Sequence, residues 1–488
     1  MFFNPDDGHR KMKIIKFVLI ALLFSASSFA QRVLTLDEAV SIALKESYGI
    51  KSAEYSLISS QKNLEAAKLG LRTSIDMEFD VPRYSRTLAS QFNPSTGTEQ
   101  FFEIGYTTFE SRLMFTQPIV YTNGTFSLVG SMWRRDQFSA QQDIPIDYYS
   151  NISLRLRQPL FTFNTQSANL TRAEVNMQKS QRNYTRSEKE MIYNVTAAFF
   201  QLYQAKKNVE IVKEEVNQVQ TSYNTAQNKF KAGLVAEVEA LQLEIDLAES
   251  KNKLLNAERT FEELKDNFKL LIGLDLSEQF DVAALLEYSP VTINLDEAVE
   301  HALNKRTELL NTAADINLNS LTVDEVDSRG NISALITANY GINKNDNVFR
   351  EVFRDFSEDR SVALTLQVPV LDWGRNSREV ESAEANLNLT RLNYINQKQQ
   401  IEKEIIAVVN KIESAKARVE VLSKSVELAK KSYEISLARF EAGTITSFDL
   451  SQMQLRLTNA KTNSLNALID YKLALADLSR KTMHDYGS

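Results

Sequence analysis

Apolar side chains recur at alternating steps of three and four residues along two long stretches of this 488-residue chain. The stretches are residues 195–230 and 405–440, and neither contains a proline. This spacing is typical of helices that pack side by side along a heptad seam. The pattern therefore predicts two long helices, residues 164–231 and 374–441, each about 100 Å long at 1.5 Å per residue.

Each long helix is predicted to end at a glycine. The stretches KFKAGLVAEVE and RFEAGTITSFD contain Gly233 and Gly443, which are 210 residues apart. Helices commonly end at a glycine in the left-handed conformation, where a side chain costs about 1 kcal/mol. Shorter helices are predicted to follow, over residues 236–272 and 446–482. The long and short helices would form antiparallel coiled-coil hairpins.

The chain also contains an internal duplication. The segment TLDEAVSIALKES returns as NLDEAVEHALNKR, and LRLRQPLFTFN returns as LTLQVPVLDWG. Each DEAV copy follows an N-cap residue that has Glu three positions after it, which is a capping-box pattern. Each copy is predicted to open a helix of about 35 residues, ending near Gly70 or Gly330. The sequence is therefore divided into two structural repeats, residues 31–290 and 291–488.

Four segments alternate apolar and polar residues and are predicted to form two β-hairpins. They are residues 124–133, 151–161, 331–342 and 361–370. Strands of about ten residues with one apolar face are typical of transmembrane β-barrels, although a soluble sandwich gives the same pattern. Four strands cannot close a barrel, and lipid does not tolerate an open edge, so such a chain must oligomerise. Residues 72–120 look β-rich but irregular and receive no assigned strand.

The polar face of one predicted strand carries Arg155 and Arg157. In a barrel these side chains would face the lumen, where they could favour anions.

The N-terminus has the pattern of a secretory signal peptide over residues 1–30. Three lysines precede the apolar run FVLIALLF, and Ser-Phe-Ala then supplies a cleavage site before Gln31. Met12 is an alternative start, and a membrane anchor is the alternative function for the apolar run. The net charge is −7, and removal of this leader makes it more negative, which argues against a nucleic-acid partner.

Catalytic and metal-binding chemistry has little support in the sequence. The chain has no cysteine, and only His301 and His484 follow the leader. It contains no H-E-x-x-H, P-loop or G-x-S-x-G motif. The sequence therefore predicts neither an enzyme nor a bound cofactor or metal.

The order and duplicate spacing of these motifs resemble the TolC family of outer-membrane exit ducts, over nearly the whole mature chain. KFKAGLVAEVE is similar to that family's first helix-hairpin turn, and PVLDWGR (369–375) is similar to its second strand-to-helix junction. The resemblance implies a mainly α fold with a transmembrane β-barrel portion. In a homotrimer, four strands per subunit would form one 12-stranded barrel in the outer membrane, and twelve helices would form a periplasmic tunnel.

The resemblance also implies partners and a function. The duct would conduct substrates passively from an inner-membrane pump and a periplasmic adaptor to the exterior. The family exports drugs, metals, other small molecules or proteins, the last by type I secretion. A soluble periplasmic coiled-coil scaffold is the alternative function, and fractionation with outer membrane rather than soluble periplasm would distinguish the two.

Candidate functional residues lie after the two predicted turns. By resemblance, Asp449 matches the first of two aspartates at the family's periplasmic constriction, whereas the second is Gln452 here. Glu239 occupies the place of Asp449 in the first repeat. Three Asp449 side chains on one axis could form an acidic gate ring that attracts cations, although each acid could equally be an ordinary exposed helix residue.

The turns themselves are predicted to dock the adaptor. Exposed apolar residues at the end of a helical hairpin suit the binding of another hairpin. The predicted docking residues are Gly233, Leu234, Val235, Gly443, Thr444 and Ile445.

Overall fold

The computed structural model describes four ranges of the chain, residues 32–93, 95–139, 146–283 and 287–486. The predicted signal peptide lies outside these residues and stays a prediction. The chain forms two compact units. The helical unit comprises, among the described residues, 32–51, 187–295 and 406–486; the sheet unit comprises 52–186 and 296–405. Each unit contains segments of both predicted repeats.

Eight α-helices lie within the described ranges. They are α1 (Leu36–Glu46), α2 (Tyr48–Leu69), α3 (Thr165–Lys231), α4 (Glu237–Ile272), α5 (Leu295–Lys305), α6 (Thr307–Ser328), α7 (Arg375–Glu441) and α8 (Ser447–Thr482). The predicted bounds of the two long and two shorter hairpin helices are confirmed to within one or two residues. Helices α3 and α7 have 67 residues each.

The two DEAV helices are each broken once, where the sequence predicted continuous helices. Ser47 has an extended backbone (ψ 143°) between α1 and α2, and Arg306 has one (ψ 125°) between α5 and α6. Ser47 is buried, and its hydroxyl accepts from the backbone N–H of Ile50. A side-chain acceptor of this kind satisfies an open N–H at a helix start and so stabilises the break.

In the hydrophobic core of the helical unit, helices α1, α3, α4 and α8 pack around two short strands. Strand β1 (Arg32–Leu34) pairs in parallel with β6 (Phe280–Val282), and the sequence analysis predicted neither. Leu34 and Phe199 are fully buried in the same cluster as Phe268 and Phe280. The ring centroids of Phe199 and Phe280 each lie 6.0 Å from that of Phe268. Aromatic pairs at this distance add to the stabilisation that comes from buried area.

The sheet unit contains one antiparallel sheet of six strands, not the four that the sequence predicted. Its strands are β2 (Ser74–Asn93), β3 (Thr98–Ile119), β4 (Gly124–Ser139), β5 (Asp147–Leu160), β7 (Ser333–Asp346) and β8 (Ser357–Gln367). Their order in the sheet is β2-β3-β4-β5-β7-β8. The four predicted strands are the last four, with the predicted hairpin pairings confirmed. The additional hairpin β2–β3 comes from the unassigned residues 72–120.

Helices of the sheet unit are joined by ion pairs between α3 and α6. Arg172 donates to Glu325 at 2.5 Å, and Lys179 donates to Asp315 at 2.5 Å. The hydrogen bond from Arg172 lowers the pKa of Glu325 from its ordinary value. In the described part of the chain no helix is long and apolar enough to cross a membrane.

Candidate functional sites at the helix turns and on the sheet

Both predicted helix reversals are confirmed as left-handed glycine caps. The φ angles of Gly233 and Gly443 are +72° and +74°. The N–H of Leu234 donates to the carbonyl of Lys229 at 2.9 Å, and the N–H of Thr444 makes the matching 2.9 Å bond to Arg439. These are the long-range bonds of a Schellman motif, which satisfy carbonyls left open at the helix end.

A lysine that the sequence analysis did not single out joins the two turns. The Nζ of Lys229 on α3 donates to the backbone carbonyls of Phe440 at 2.6 Å and Glu441 at 3.0 Å. The same ammonium group lies 5.0 Å from the centroid of the Phe440 ring. A cation at the C-terminus of α7 also complements the helix dipole. The only available sequence signal was a basic residue in the last turn of α3.

The carboxylate of Glu239, at the start of α4, contacts the start of α8 after the second turn. Its Oε2 accepts from the backbone N–H of Ser447 at 2.9 Å, at the first residue of α8. A carboxylate at a helix N-terminus satisfies an open N–H and interacts favourably with the dipole. Glu239 therefore joins two helices that are some two hundred residues apart in the sequence.

The acid Asp449 completes a capping box with Thr446. Its Oδ2 accepts from the backbone N–H of Thr446 at 3.2 Å and from the hydroxyl at 2.8 Å. In return, the N–H of Asp449 donates to the Thr446 hydroxyl at 3.2 Å. Asp449 and Gln452 are both exposed. Arg456, which the sequence analysis passed over, is also exposed one turn further along the same face, because these positions follow three- and four-residue steps.

The apolar residues at the turns differ in exposure. Leu234 is 74% exposed, whereas Val235 is half-buried. Thr444 is exposed, and the half-buried Ile445 packs against a core cluster that includes Phe440. Leu234 is therefore the most open apolar side chain among the predicted docking residues.

The ends of the two heptad seams also differ. Phe440 is buried, as its predicted packing role requires, but Phe230 is 39% exposed.

Helices α7 and α8 leave apolar side chains open at heptad spacing. On α7, Val421, Leu428 and Ile435 are each more than half exposed and lie seven residues apart. On α8, Phe448 and Leu455 are exposed with the same spacing. We call these five residues the open stripes. A seven-residue apolar repeat is typical of a surface that packs on another helix.

The sheet has one apolar and one polar face. Directly paired residues point to the same side of an antiparallel sheet. Leu128, Leu154 and Tyr340 therefore share one face, while Arg155 and Asn339 share the other. The Nε of Arg155 donates to the Asn339 side chain at 2.9 Å.

A concave region of about 600 Å³ on the polar face is lined by both predicted arginines, Arg155 and Arg157.

The polar face also carries carboxylates that the sequence analysis did not assign. Asp76, Glu78 and Asp80 alternate along β2, and the pairing places Glu78 opposite Arg112 on β3. The two side chains form an ion pair of 3.1 Å. The face is therefore of mixed charge, and the anion preference expected from Arg155 and Arg157 stays a prediction. Among the described residues no cluster of His, Cys, Asp and Glu could hold a metal ion.

Comparison with known proteins identifies the family. The sequence profile described as outer membrane efflux protein matches residues 125–273 and 298–482, which together make up more than half of the chain. The chain is 24% identical to the outer membrane protein TolC of Vibrio cholerae over 322 residues, covering 63% of this chain and 71% of TolC.

Two solved structures show the same fold. The outer membrane protein VceC of Vibrio cholerae superposes with a TM-score of 0.67 at 14% identity, covering 92% of this chain and 96% of VceC. The CmeC outer membrane channel of Campylobacter jejuni gives 0.67 at 17% identity, covering 93% and 87%. The matched family is one of channels and transport proteins rather than of enzymes. The chain belongs to the outer membrane efflux protein family, and it is an outer-membrane exit duct for efflux systems whose helical tunnel lies in the periplasm.

Proposed function

We propose that three copies of the chain form one passive duct that receives its substrates from a periplasmic adaptor and an inner-membrane pump. The observation that carries the proposal is the pair of open stripes on α7 and α8. Single exposed apolar residues are ordinary, but heptad-spaced rows on neighbouring helices favour burial against another copy. Because a passive duct does not select its cargo, small molecules and secreted proteins are both compatible with this arrangement.

The adaptor is proposed to bind at the helix turns, with Leu234 as the central contact. A 74% exposed leucine beside a rigid glycine cap suits an apolar contact with another helical hairpin. A photo-crosslinking amino acid at Leu234 in cells should capture a periplasmic adaptor, and native mass spectrometry of the detergent-purified protein should give the mass of a trimer. Leu255 on α4, the helix that follows this turn, is 66% exposed and provides the matched control position. A monomeric mass, or equal adaptor capture from both positions, would contradict the proposal.

The gate is proposed to be a single ring formed by Asp449 from each copy. Asp449→Asn removes the charge but keeps an oxygen that can accept the capping hydrogen bonds from Thr446. We expect the concentration of lanthanum ions that half-blocks the reconstituted pore to rise about tenfold, since the loss of charge reduces attraction of a trivalent cation. The measurement is single-channel current in planar bilayers.

Glu239→Gln serves as the control for the gate. Glu239 is half-buried and engaged with Ser447, so its neutral variant should leave lanthanum block within about twofold of the parent. Unchanged block in Asp449→Asn would remove Asp449 from the gate, and a large change in Glu239→Gln would assign the ring to the first turn instead.

A further inference from the structure

The two outer strands of the six-stranded sheet have free edges. Strand β2 pairs only with β3, and β8 pairs only with β7, among the described residues. We propose that β2 of one copy pairs with β8 of the next, so that three copies close a barrel of eighteen strands rather than twelve. The inference rests on the trimer proposed above. It commits the hairpin β2–β3 to the barrel wall.

The hairpin β2–β3 continues the apolar face of the other strands. Ile75 pairs with Phe115, and Met77 pairs with Leu113, on the same side as Leu128 of β4. The free strands β2 and β8 both present highly exposed apolar side chains on this side, namely Ile75, Met77, Phe79 and Val81 on β2 and Val362, Leu364 and Leu366 on β8. One apolar band therefore crosses all six strands, as a lipid-facing surface requires.

The apolar band slopes across the sheet. The row of paired residues through Val362 on β8 leads across the sheet to Gln117 on β3. Val362 lies on this row, and Leu364 and Leu366 lie on the side of the row nearer to α7, the helix that follows β8. Ile75 to Val81 on β2 lie wholly on the opposite side of the row. The band thus shifts by about one residue or more from each strand to the next. Such a shift is expected when the strands are tilted relative to the barrel axis, as they are in closed barrels.

The sheet has an even number of strands, so its two free edges can pair between copies. Neighbouring strands are antiparallel throughout the sheet, so β2 and β8 run in opposite directions. The edge of one copy can therefore pair with the edge of the next in the same antiparallel pattern. Closure is required in the hydrocarbon region, because unpaired backbone groups there cost several kcal/mol each.

The length of the proposed β2–β8 pairing between copies, called the barrel seam below, follows from an irregularity in β2. The register against β3 shifts between Asp80 and Arg83, and Pro82 lies within that shift. Proline has no N–H to donate to a neighbouring strand. The barrel seam is therefore expected to form along Ser74–Asp80 of β2. The rest of the hairpin, beyond the register shift, takes no part in this pairing.

A wider pore is the functional consequence. Barrel diameter grows roughly linearly with strand number, and barrels of 16–18 strands leave an aqueous channel. The acids Asp76, Glu78 and Asp80 would then line the lumen beside the arginines of β5. Eighteen strands instead of twelve give a diameter about one and a half times as large.

The absence of cysteine from the chain makes the barrel seam directly testable. Leu364→Cys is combined in turn with Ile75→Cys, Met77→Cys or Phe79→Cys, and the outer membranes are oxidised. Cross-strand neighbours approach closely enough for a disulfide in a suitable register. We expect at least one pair to give disulfide-linked dimers and trimers on denaturing gels, while each single variant stays monomeric on the gel.

The matched control combines Leu364→Cys with Leu128→Cys on β4, whose neighbours in this sheet are β3 and β5. Crosslinking of that pair, or no crosslinking of any β2 pair in a protein of trimeric native mass, would overturn the eighteen-stranded barrel seam and leave the duct intact. A monomeric native mass would instead contradict the proposed trimer.

Discussion

Replacing Phe199 with alanine is expected to lower the local stability of the helical unit by about 3–5 kcal/mol. The Phe199 ring is fully buried, and its centroid lies 6.0 Å from those of Phe200 and Phe268. It packs in the cluster that also holds Leu34 of β1. Its removal leaves a cavity in a cluster whose side chains belong to four helices and two strands, and such a site collapses only partly.

Hydrogen exchange by mass spectrometry in detergent measures this loss, because amides report local opening free energies. Exchange should accelerate in the part of α3 that follows residue 187, while peptides from the sheet stay as in the parent. Phe199→Leu keeps most of the volume and should cost less than about 1.5 kcal/mol. Val33→Ala, at a side chain that is 53% exposed beside the buried Leu34, should stay within about 0.5 kcal/mol. Similar exchange in Phe199→Ala and Val33→Ala would contradict the assignment of Phe199 to the core.

Gly273→Ala is expected to destabilise the same unit by about 2–4 kcal/mol, far more than Gly233→Ala. Both glycines follow the end of a helix, and both have a positive φ, +82° at Gly273 and +72° at Gly233. A Cβ at Gly273 would lie 2.6 Å from the backbone carbonyl oxygen of Glu46, whereas a Cβ at Gly233 meets nothing within 4 Å. Strain from φ acts at both positions, but only Gly273 adds a collision with backbone.

The comparison needs four variants. The thermal unfolding of each is monitored by the circular dichroism signal of the helices. Gly233→Ala should cost about 1 kcal/mol, and Gly233→Asn less, because asparagine tolerates the left-handed region. Gly273→Asn should be as damaging as Gly273→Ala, since the collision does not depend on φ. Equal melting temperatures for the two alanine variants would show that the backbone around Gly273 moves away without cost.

The features that the sequence predicted are those with dense local signals. The long helices have heptad spacing over many turns, and Gly233 stands alone in a glycine-poor region, so their bounds followed from neighbouring residues. The hairpin β2–β3 was missed although Ile75, Met77 and Phe79 alternate with acids. Pro82 and the register shift interrupt that alternation midway, and proline weighs against a strand.

The residues that join the turns could not be predicted for a different reason. The contacts of Lys229 and Glu239 are to backbone groups some two hundred positions away. A surface lysine or glutamate on a helix carries no sequence signal for such a partner. The break at Arg306 likewise interrupts a helical pattern that has no glycine or proline nearby, whereas Gly49 lies two residues after the break at Ser47.

The contacts at the turns couple the two repeats to each other. The first repeat places a cation on the end of α7, through Lys229, and an anion on the start of α8, through Glu239. The second turn is thus held on both sides by the first, and an outward displacement of one turn draws the other with it. A ring assembled from three such chains would dilate as three paired bodies rather than as six independent hairpins.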